Sequence, residues 1–367
     1  MINNQKPIYV TQPYMPPLEE FTPLLETIWE SKILTNCGPL HQELEEKLCD
    51  HLNVPYISLF NNCTIGLMST FPILKLQGEV ITTPFTFIAT ANSLMWNNLK
   101  PVFVDIDPIT LNLDPNKIEQ AITPKTSAIL AVHCYGRPCE TQAIKDIADK
   151  HGLKIIYDSA HVFGVEDHHG GIARHGDLSV LSFHATKVFN TFEGGAIISH
   201  SKSMKDEIDQ FKNFGINSES TINAIGLNGK MSEINAAMGL LQLKYVDDAI
   251  QKRKRIYDIY HAELNHIDGI ILPDFSTFTL SNYSYFPIIV ESRFRLSRDE
   301  LCQHMNAHNI FPRKYFYPMV SDFKPYKNFK TDCPVSKDRS EKILCLPIYP
   351  AMDDQDIERI VNSLKSL

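Results

Sequence analysis

Three short stretches of the chain carry residues that could do chemistry. Asn61-Asn62-Cys63-Thr64-Ile65-Gly66 is small and polar and follows the apolar run 56–60. A helix opening there would aim free backbone N–H groups, and the positive end of its dipole, at an anion such as a phosphate. Asp158 begins DSAH (158–161) directly after the apolar run 154–157. A carboxylate so placed can ligate a metal, act as a base or face a cation. Lys187 closes SFHATK (182–187), just past the run 178–183. A lysine that close to a buried strand is costly if charged and unpaired. The cost disappears if it is neutral or held as an imine. Taken singly, the three read as a helix cap, a capping aspartate and a surface lysine. Taken in order, an anion cradle, a strand-end carboxylate and a desolvated lysine meet the three needs of pyridoxal phosphate: phosphate, pyridine nitrogen and aldehyde carbon.

Such residues need a frame. Short apolar runs at 56–60, 79–82, 101–105, 127–133, 154–157, 178–183 and 195–199 alternate with helical patterns. The runs are continuously apolar, as strands covered on both faces are, and the alternation predicts a large, mostly parallel α/β sheet flanked by helices. Ligands in such sheets sit at the carboxyl ends of strands, where all three stretches fall. Helices are expected over 18–33, 41–52, 144–151 (closed by Gly152), 231–243 and on to about 265. Past Gly269 the composition shifts to aromatic strand-like segments (282–290) and amphipathic helices, ending in one from Asp353 with Ile357, Ile360, Val361 and Leu364 on one stripe. The expected division is a large domain over 1–247 and a smaller C-terminal α+β domain over 248–367. Pro72 should kink or shorten the helix after the phosphate turn.

Several classes are excluded. The chain has 367 residues, 43% hydrophobic and 21% charged, with a net charge of −8: a globular protein with no dense basic patch, so nucleic acid is not an expected partner. The run Lys252–Arg255 reads as a solvated helix face. Eight cysteines form no CxxC pair or zinc spacing and read as free thiols of a reducing compartment. His168, His169 and His175 surround a glycine pair and invite a metal hypothesis. There is no signal-peptide pattern, no apolar run of the roughly 18 residues a membrane span needs, and no GxGxxG or Walker loop. A cytoplasmic protein, away from membranes, is expected.

The motifs LTNCGP (34–39), NNCTIG (61–66), TPFTFIAT (83–90), PVFVDIDP (101–108), VHCYGRP (132–138), DSAHVFG (158–164), SFHATK (182–187), FEGGA (192–196), GLNGKMSEINAA (226–237) and LPIYP (346–350) run through nearly the whole chain. In this order they resemble the DegT/StrS-type nucleotide-sugar aminotransferases, which have the fold-type-I aminotransferase fold. The resemblance implies that Lys187 carries the cofactor (PLP, or PMP in its aminated form) and moves the proton, and that Asp158 pairs with the pyridine nitrogen. It also implies that Phe87 stacks on the ring, that His161 lies near the ring hydroxyl, and that Asn62, Cys63, Thr64 and Ser182 hold the phosphate. Asn228 resembles the asparagine that reaches the phosphate from a neighbouring subunit, which implies a homodimer with the active site at the interface. Lys230 stands where the family usually has arginine, keeping the charge and losing the planar fork. The resemblance implies a glycine turn at the pair between His169 and His175, which makes a solvated loop with no metal the expectation there.

Within the family, His184, Ala185 and Glu193 resemble the branch that aminates a 4-keto sugar; the 3-keto branch carries Tyr-Pro in place of the His-Ala pair. The implied reaction takes nitrogen from L-glutamate to dTDP-4-keto-6-deoxy-D-glucose, giving dTDP-4-amino-4,6-dideoxy-D-glucose for O-antigen or another surface glycan. The nucleotide is expected against Thr35 and Gly38 and the C-terminal domain, with Arg313, Tyr315 and Tyr317 as candidate diphosphate or sugar contacts. Competing readings are 3-amination, a sugar dehydratase of the same fold and a non-enzymatic regulator. The dehydratase carries histidine at the lysine position, and the regulator has no use for an intact lysine, aspartate and phosphate turn.

Overall fold

The computed structural model describes residues 6–168, 170–218, 220–272, 279–329 and 331–367. Two helices come first, α1 (Leu18–Ser31) and α2 (Pro39–Leu52). The apolar runs then become β1 (Tyr56–Phe60), β2 (Glu79–Thr82), β3 (Lys100–Phe103), β4 (Thr126–Val132), β5 (Lys154–Asp158), β6 (Leu178–Ser182) and β7 (Gly195–Ser199). Among the described residues these form one seven-stranded sheet in the order β1-β7-β6-β5-β4-β2-β3. β7 runs antiparallel to both neighbours, and every other pairing is parallel. The carboxyl ends of the six co-directional strands therefore share one edge, and the turns after Phe60, Thr82, Asp158 and Ser182 open there.

Both faces of the sheet are covered, which is why its strands read as unbroken apolar runs. On one side Leu44, Leu48 and Leu52 of α2 pack with Ile57, Leu59, Leu181 and Ile198 and with Ala236, Ala237 and Leu240 of α7 (Glu233–Leu243). On the other, Leu67 and Phe71 of α3 (Cys63–Ile73) pack with Val80, Leu130, Ile156, Val180 and Ile197. The remaining helices of this unit are α4 (Ile88–Trp96), α5 (Thr141–His151) and α6 (Lys202–Phe211). α3 stops one residue past Pro72, the shortening its ring demands. α5 closes on Gly152 at φ 66°, the left-handed C-cap. α7 starts at Glu233 rather than Met231, because Ser232 is extended (φ −81°, ψ 159°).

β1 is an edge strand, and its outward backbone groups are not left open. Leu59 N–H donates to Glu45 Oε1 at 3.0 Å, and Lys205 Nζ donates to the Ile57 carbonyl at 2.6 Å. Covering an edge with paired charges guards it against pairing with another chain.

A second core lies beyond residue 250. Ile256, Tyr260 and Leu264 of α8 (Val246–Leu264) pack with β9 (Phe286–Val290), β10 (Ile343–Leu346) and the apolar stripe Ile357, Ile360, Val361 and Leu364 of α11 (Asp354–Lys365). β8 (Ile270–Ile271), β9 and β10 form an antiparallel sheet, flanked by α9 (Arg298–Ala307) and α10 (Pro334–Lys342). α8 serves both cores, with Val246 and Ile250 in the first. We propose that the two-domain division follows these cores, with α8 as the joint. Ile8 and Tyr9 would go with the second, since they pair with Ile310 and Phe311.

Two expectations shift. β9 begins at Phe286, four residues past Asn282, because Asn282 and Ser284 spend their side chains on the His161 and Phe163 carbonyls. The run Lys252–Arg255 is not wholly solvated. Lys252 and Lys254 face solvent with Asp248 and Asp258 as partners, but Arg253 is 3% exposed and donates to the Ile348 carbonyl at 2.8 Å.

Candidate active site

The anion turn is built by the end of β1. Asn62 is extended (φ −164°, ψ 163°) and caps α3, its Oδ1 accepting from Ile65 N–H at 2.8 Å. Cys63 and Thr64, in the same first turn, have N–H groups without intrahelical acceptors. Gly195 pairs with Phe60 on one side and with Ser182 on the other. A Cβ there would lie 2.6 Å from the Cys63 nitrogen, so only glycine lets β7 pass beneath the turn. Asn62, Cys63, Thr64 and Ser182 are thus gathered at one corner of the carboxyl edge. Burial, followed by the nearby Asp158, pushes the Cys63 thiol well up, so it stays protonated.

Asp158 closes β5, 6% exposed. Thr90 Oγ1 donates to its Oδ2 at 2.7 Å and Ala160 N–H to its Oδ1 at 3.2 Å, while Thr86 lies 2.9 Å from Thr90 Oγ1. Burial raises the carboxyl above the usual carboxylate range, against the pull of Thr90, Ala160 and Lys187. Lys187 follows β6. Among the described residues it forms no ion pair, and its polar neighbour is the Tyr285 hydroxyl, 3.4 Å from Nζ. Burial lowers its pKa, only partly offset by Cys63 and Asp158, and this favours the neutral amine.

His161 sits one turn beyond Asp158. Its Nδ1 accepts the Tyr135 N–H at 3.2 Å, and its Nε2 is 3.4 Å from the Tyr285 hydroxyl. Burial, reinforced by Lys187, holds its pKa well below the usual value, so it is neutral. With Nδ1 accepting, the proton belongs on Nε2. Aromatic rings wall the cluster: Phe316 lies parallel to both His161 and Tyr135, and Tyr285 meets Tyr135 and Tyr315 edge-on. The Tyr135 hydroxyl donates to the Tyr315 carbonyl, fixing that wall.

Beyond it lies a cavity of about 560 Å³, lined by Phe87, Arg313, Tyr315, Phe316 and Tyr317 among others. Arg313, Tyr315 and Tyr317, predicted to touch substrate, therefore share one space with the predicted stacking ring Phe87, which is 56% exposed. Arg298 covers the Tyr317 ring at 4.5 Å, and Asp299 holds Lys314 at 2.6 Å. His184 and Glu193 are both exposed, with Nε2 and Oε1 3.7 Å apart. His184 Nδ1 accepts the Thr186 N–H at 3.2 Å, which turns its Nε2–H toward the carboxylate.

Three predicted residues are not in this cluster. Thr35 and Gly38 lie in the loop between α1 and α2, Thr35 exposed and Gly38 buried against Glu233. The Glu233 carboxylate accepts Leu40 N–H and His41 N–H, both at 2.9 Å, and so ties α2 to α7. A Cβ on Gly38 would meet Glu233 Cδ at 2.6 Å. Asn228 is exposed, bridged to Asn213, whose Oδ1 also takes Lys230 Nζ at 2.9 Å. Among the described residues no His/Cys/Asp/Glu group could hold a metal; His168 is exposed and His169 lies outside them. Sequence reasoning missed Tyr285, Thr90 and Glu233. Thr90 and Glu233 stand inside quoted motifs, but nothing in the spacing marks Tyr285.

This architecture is that of an aminotransferase. The crystal structure of DesI in the presence of its TDP-sugar product matches at a TM-score of 0.95 and 34% identity, over 99% of this chain and 93% of that one. The sequence goes further: residues 18–365 match the DegT/DnrJ/EryC1/StrS aminotransferase family, and the chain belongs to it. The dTDP-4-amino-4,6-dideoxy-D-glucose transaminase of Shigella dysenteriae is 57% identical, over 99% of this chain and 100% of that protein. The transaminase of the same name from Escherichia coli is 49% identical, over 98% and 99%. The fold and family expected from the motifs are borne out. No helix among the described residues is long and apolar enough to cross a membrane.

Proposed function

We propose that the chain is a pyridoxal-phosphate-dependent transaminase that moves the amino group of L-glutamate to C4 of dTDP-4-keto-6-deoxy-D-glucose, forming dTDP-4-amino-4,6-dideoxy-D-glucose for O-antigen or a related surface glycan. The observation that carries the chemistry is the place of Lys187, just past the buried strand β6, with the Tyr285 hydroxyl as its polar neighbour and close to a carboxylate it does not pair with; burial lowers its pKa. The observation that carries the sugar is the identity of 57% along the whole chain to a transaminase named for that product.

The residues present fit the cofactor. Gly195 keeps open the space beside Cys63 N that a Cβ would fill, and Asp158 is a buried carboxylate at the adjoining strand end. Cys63 N–H, Thr64 N–H and the Ser182 hydroxyl would hold the phosphate, with Asn62 shaping the turn; Asp158 would hold the pyridine nitrogen protonated; Phe87 would cover the ring; His161 would face its hydroxyl. When bound, the cofactor supplies an electron sink for the carbanion at the reacting carbon. Lys187 takes the proton from the α carbon of glutamate and, in the second half of the cycle, delivers one to C4 of the sugar. His184 and Glu193 would meet the sugar, and Arg313, Tyr315 and Tyr317 its diphosphate side, in the cavity beside Phe87. Asn228 would act on a second subunit, which makes the working unit a homodimer with Thr35 and Gly38 near the shared cleft. Eight free cysteines suit a reducing cytoplasm.

The test is to incubate the purified protein with pyridoxal phosphate, L-glutamate and dTDP-4-keto-6-deoxy-D-glucose and to assign the product by NMR. Nitrogen on C4 with stoichiometric 2-oxoglutarate is expected. Nitrogen on C3, or no amino sugar, would overturn the reading.

A further inference from the structure

The hydroxyl of Tyr285 touches both Lys187 and His161, and its position is fixed from two sides. The segment before it is fastened to the turn after β5: Asn282 Nδ2 donates to the His161 carbonyl at 2.8 Å and to the Phe163 carbonyl at 2.9 Å, and Ser284 Oγ to the His161 carbonyl at 3.1 Å. Its ring is clamped by His161 at 4.8 Å, Tyr135 at 5.7 Å and Tyr315 at 5.9 Å between centroids. Oη then lies 3.4 Å from Lys187 Nζ and 3.4 Å from His161 Nε2.

Counting protons gives this contact a direction. A backbone N–H always donates, so Tyr135 N–H requires an unprotonated Nδ1 on His161, and the ring's single proton must be on Nε2. Nε2–H therefore donates to Tyr285 Oη. The phenol proton is left for the remaining neighbour, Lys187 Nζ, which can accept it only as a free amine. An ammonium would instead compete with His161 for the phenol oxygen and leave the phenol proton without its acceptor. The charged or titratable groups that face Nζ are Asp158 and Cys63, with His161 behind the phenol. Asp158 works for the ammonium, so the relay opposes it.

We infer that Tyr285 is a positioning residue that selects the free-base form of Lys187 through a one-way relay, Tyr135 N–H to His161, His161 to Tyr285, Tyr285 to Lys187 Nζ. The inference rests on the reading of Lys187 as the cofactor-bearing lysine. When Lys187 takes a proton during turnover, that proton stays on Nζ and the contact reverses, Nζ then donating to the phenol oxygen. No further proton acceptor is required.

The experiment uses the full chain and Tyr285→Phe, which keeps the ring contacts and removes only the hydroxyl. The rate at which cofactor-free protein captures added pyridoxal phosphate, fixed with borohydride and counted by mass, is measured against pH, together with the pH profile of kcat/KM. Loss of one hydrogen bond to the neutral amine should move the acid limb of capture upward by about one pH unit. At high pH the variant should recover near wild-type capture, and kcat should fall more than KM rises. Superimposable limbs, or a loss equal at every pH, would overturn the relay. Wild-type protein that fails to capture the cofactor on Lys187 would instead overturn the function on which it rests.

Discussion

Two lysines in this chain, Lys212 and Lys187, have opposite electrical surroundings. Lys212, at the end of α6, is fully buried, yet Asp209 lies at 2.8 Å and Glu45 at 3.3 Å. Its neighbour Lys205 shares the same two carboxylates at 2.6 and 3.0 Å. Burial works against the charge on Lys205, but Glu45 and Asp209 outweigh it and its pKa rises; both carboxyls are lowered in turn by the two lysines, against their own burial. Lys187 keeps part of its surface open to the cleft and is nonetheless shifted the other way, because desolvation outweighs the pull of Cys63 and Asp158, neither of which pairs with it. Depth alone does not make a lysine reactive. What matters is whether the charge is answered: at the edge of β1 two cations meet two anions and seal a strand, and at the carboxyl edge one lysine is left with a phenol.

Exchanging the two situations should give opposite results. Lys187→Met removes the reacting amine and a desolvated polar group that no carboxylate pairs with, so turnover should fall by about a thousandfold or more while the cofactor-free protein melts at the same temperature or higher. Residual transamination near wild type, or a large loss of stability, would erase the contrast. Glu45→Ala leaves Lys205 and Lys212 with half their compensation and exposes Leu59 N–H, so unfolding in denaturant should show a loss of about 3–5 kcal/mol. The pH dependence of cofactor capture in the folded fraction of that variant should be unchanged.

The next effect is acid sensitivity near the paired cluster. Burial, then Lys212, lowers His41 to about 4, and burial lowers His133 to about 3. A histidine depressed in the fold binds its proton more readily when unfolded. Its stabilising contribution is therefore complete above about pH 6.5 and declines as pH falls toward those values. For His41 this amounts to about 3 kcal/mol. Melting temperatures from pH 7.5 to 4 should fall accordingly, and a flat profile would refute it. The smallest effect belongs to Thr90→Val, which removes one hydrogen bond from Asp158 and should cost about tenfold in kcat/KM. An unchanged rate would mean that Asp158 needs no such support.

The sheet was legible because its strands are buried on both faces and so carry continuous apolar runs; Lys187, Asp158 and Asn62 were legible because they follow those runs. Residues that act from a distance were not. Tyr285 lies about a hundred residues from Lys187 in a segment that reads as a strand, and it leaves the strand because Asn282 and Ser284 bind carbonyls elsewhere. Arg253 read as solvated because its neighbours are charged, whereas its partner, the Ile348 carbonyl, comes from the far end of the chain. Glu233 sits in a motif, but its work is on α2, which only the packing of α2 against α7 reveals.

The most direct measurement is borohydride reduction of the protein after incubation with pyridoxal phosphate, followed by peptide mass mapping. The account predicts a phosphopyridoxyl group on Lys187, none on Lys205 or Lys212, and none anywhere in Lys187→Met. A stoichiometric adduct on another lysine, or equal labelling of the buried pair, would contradict it.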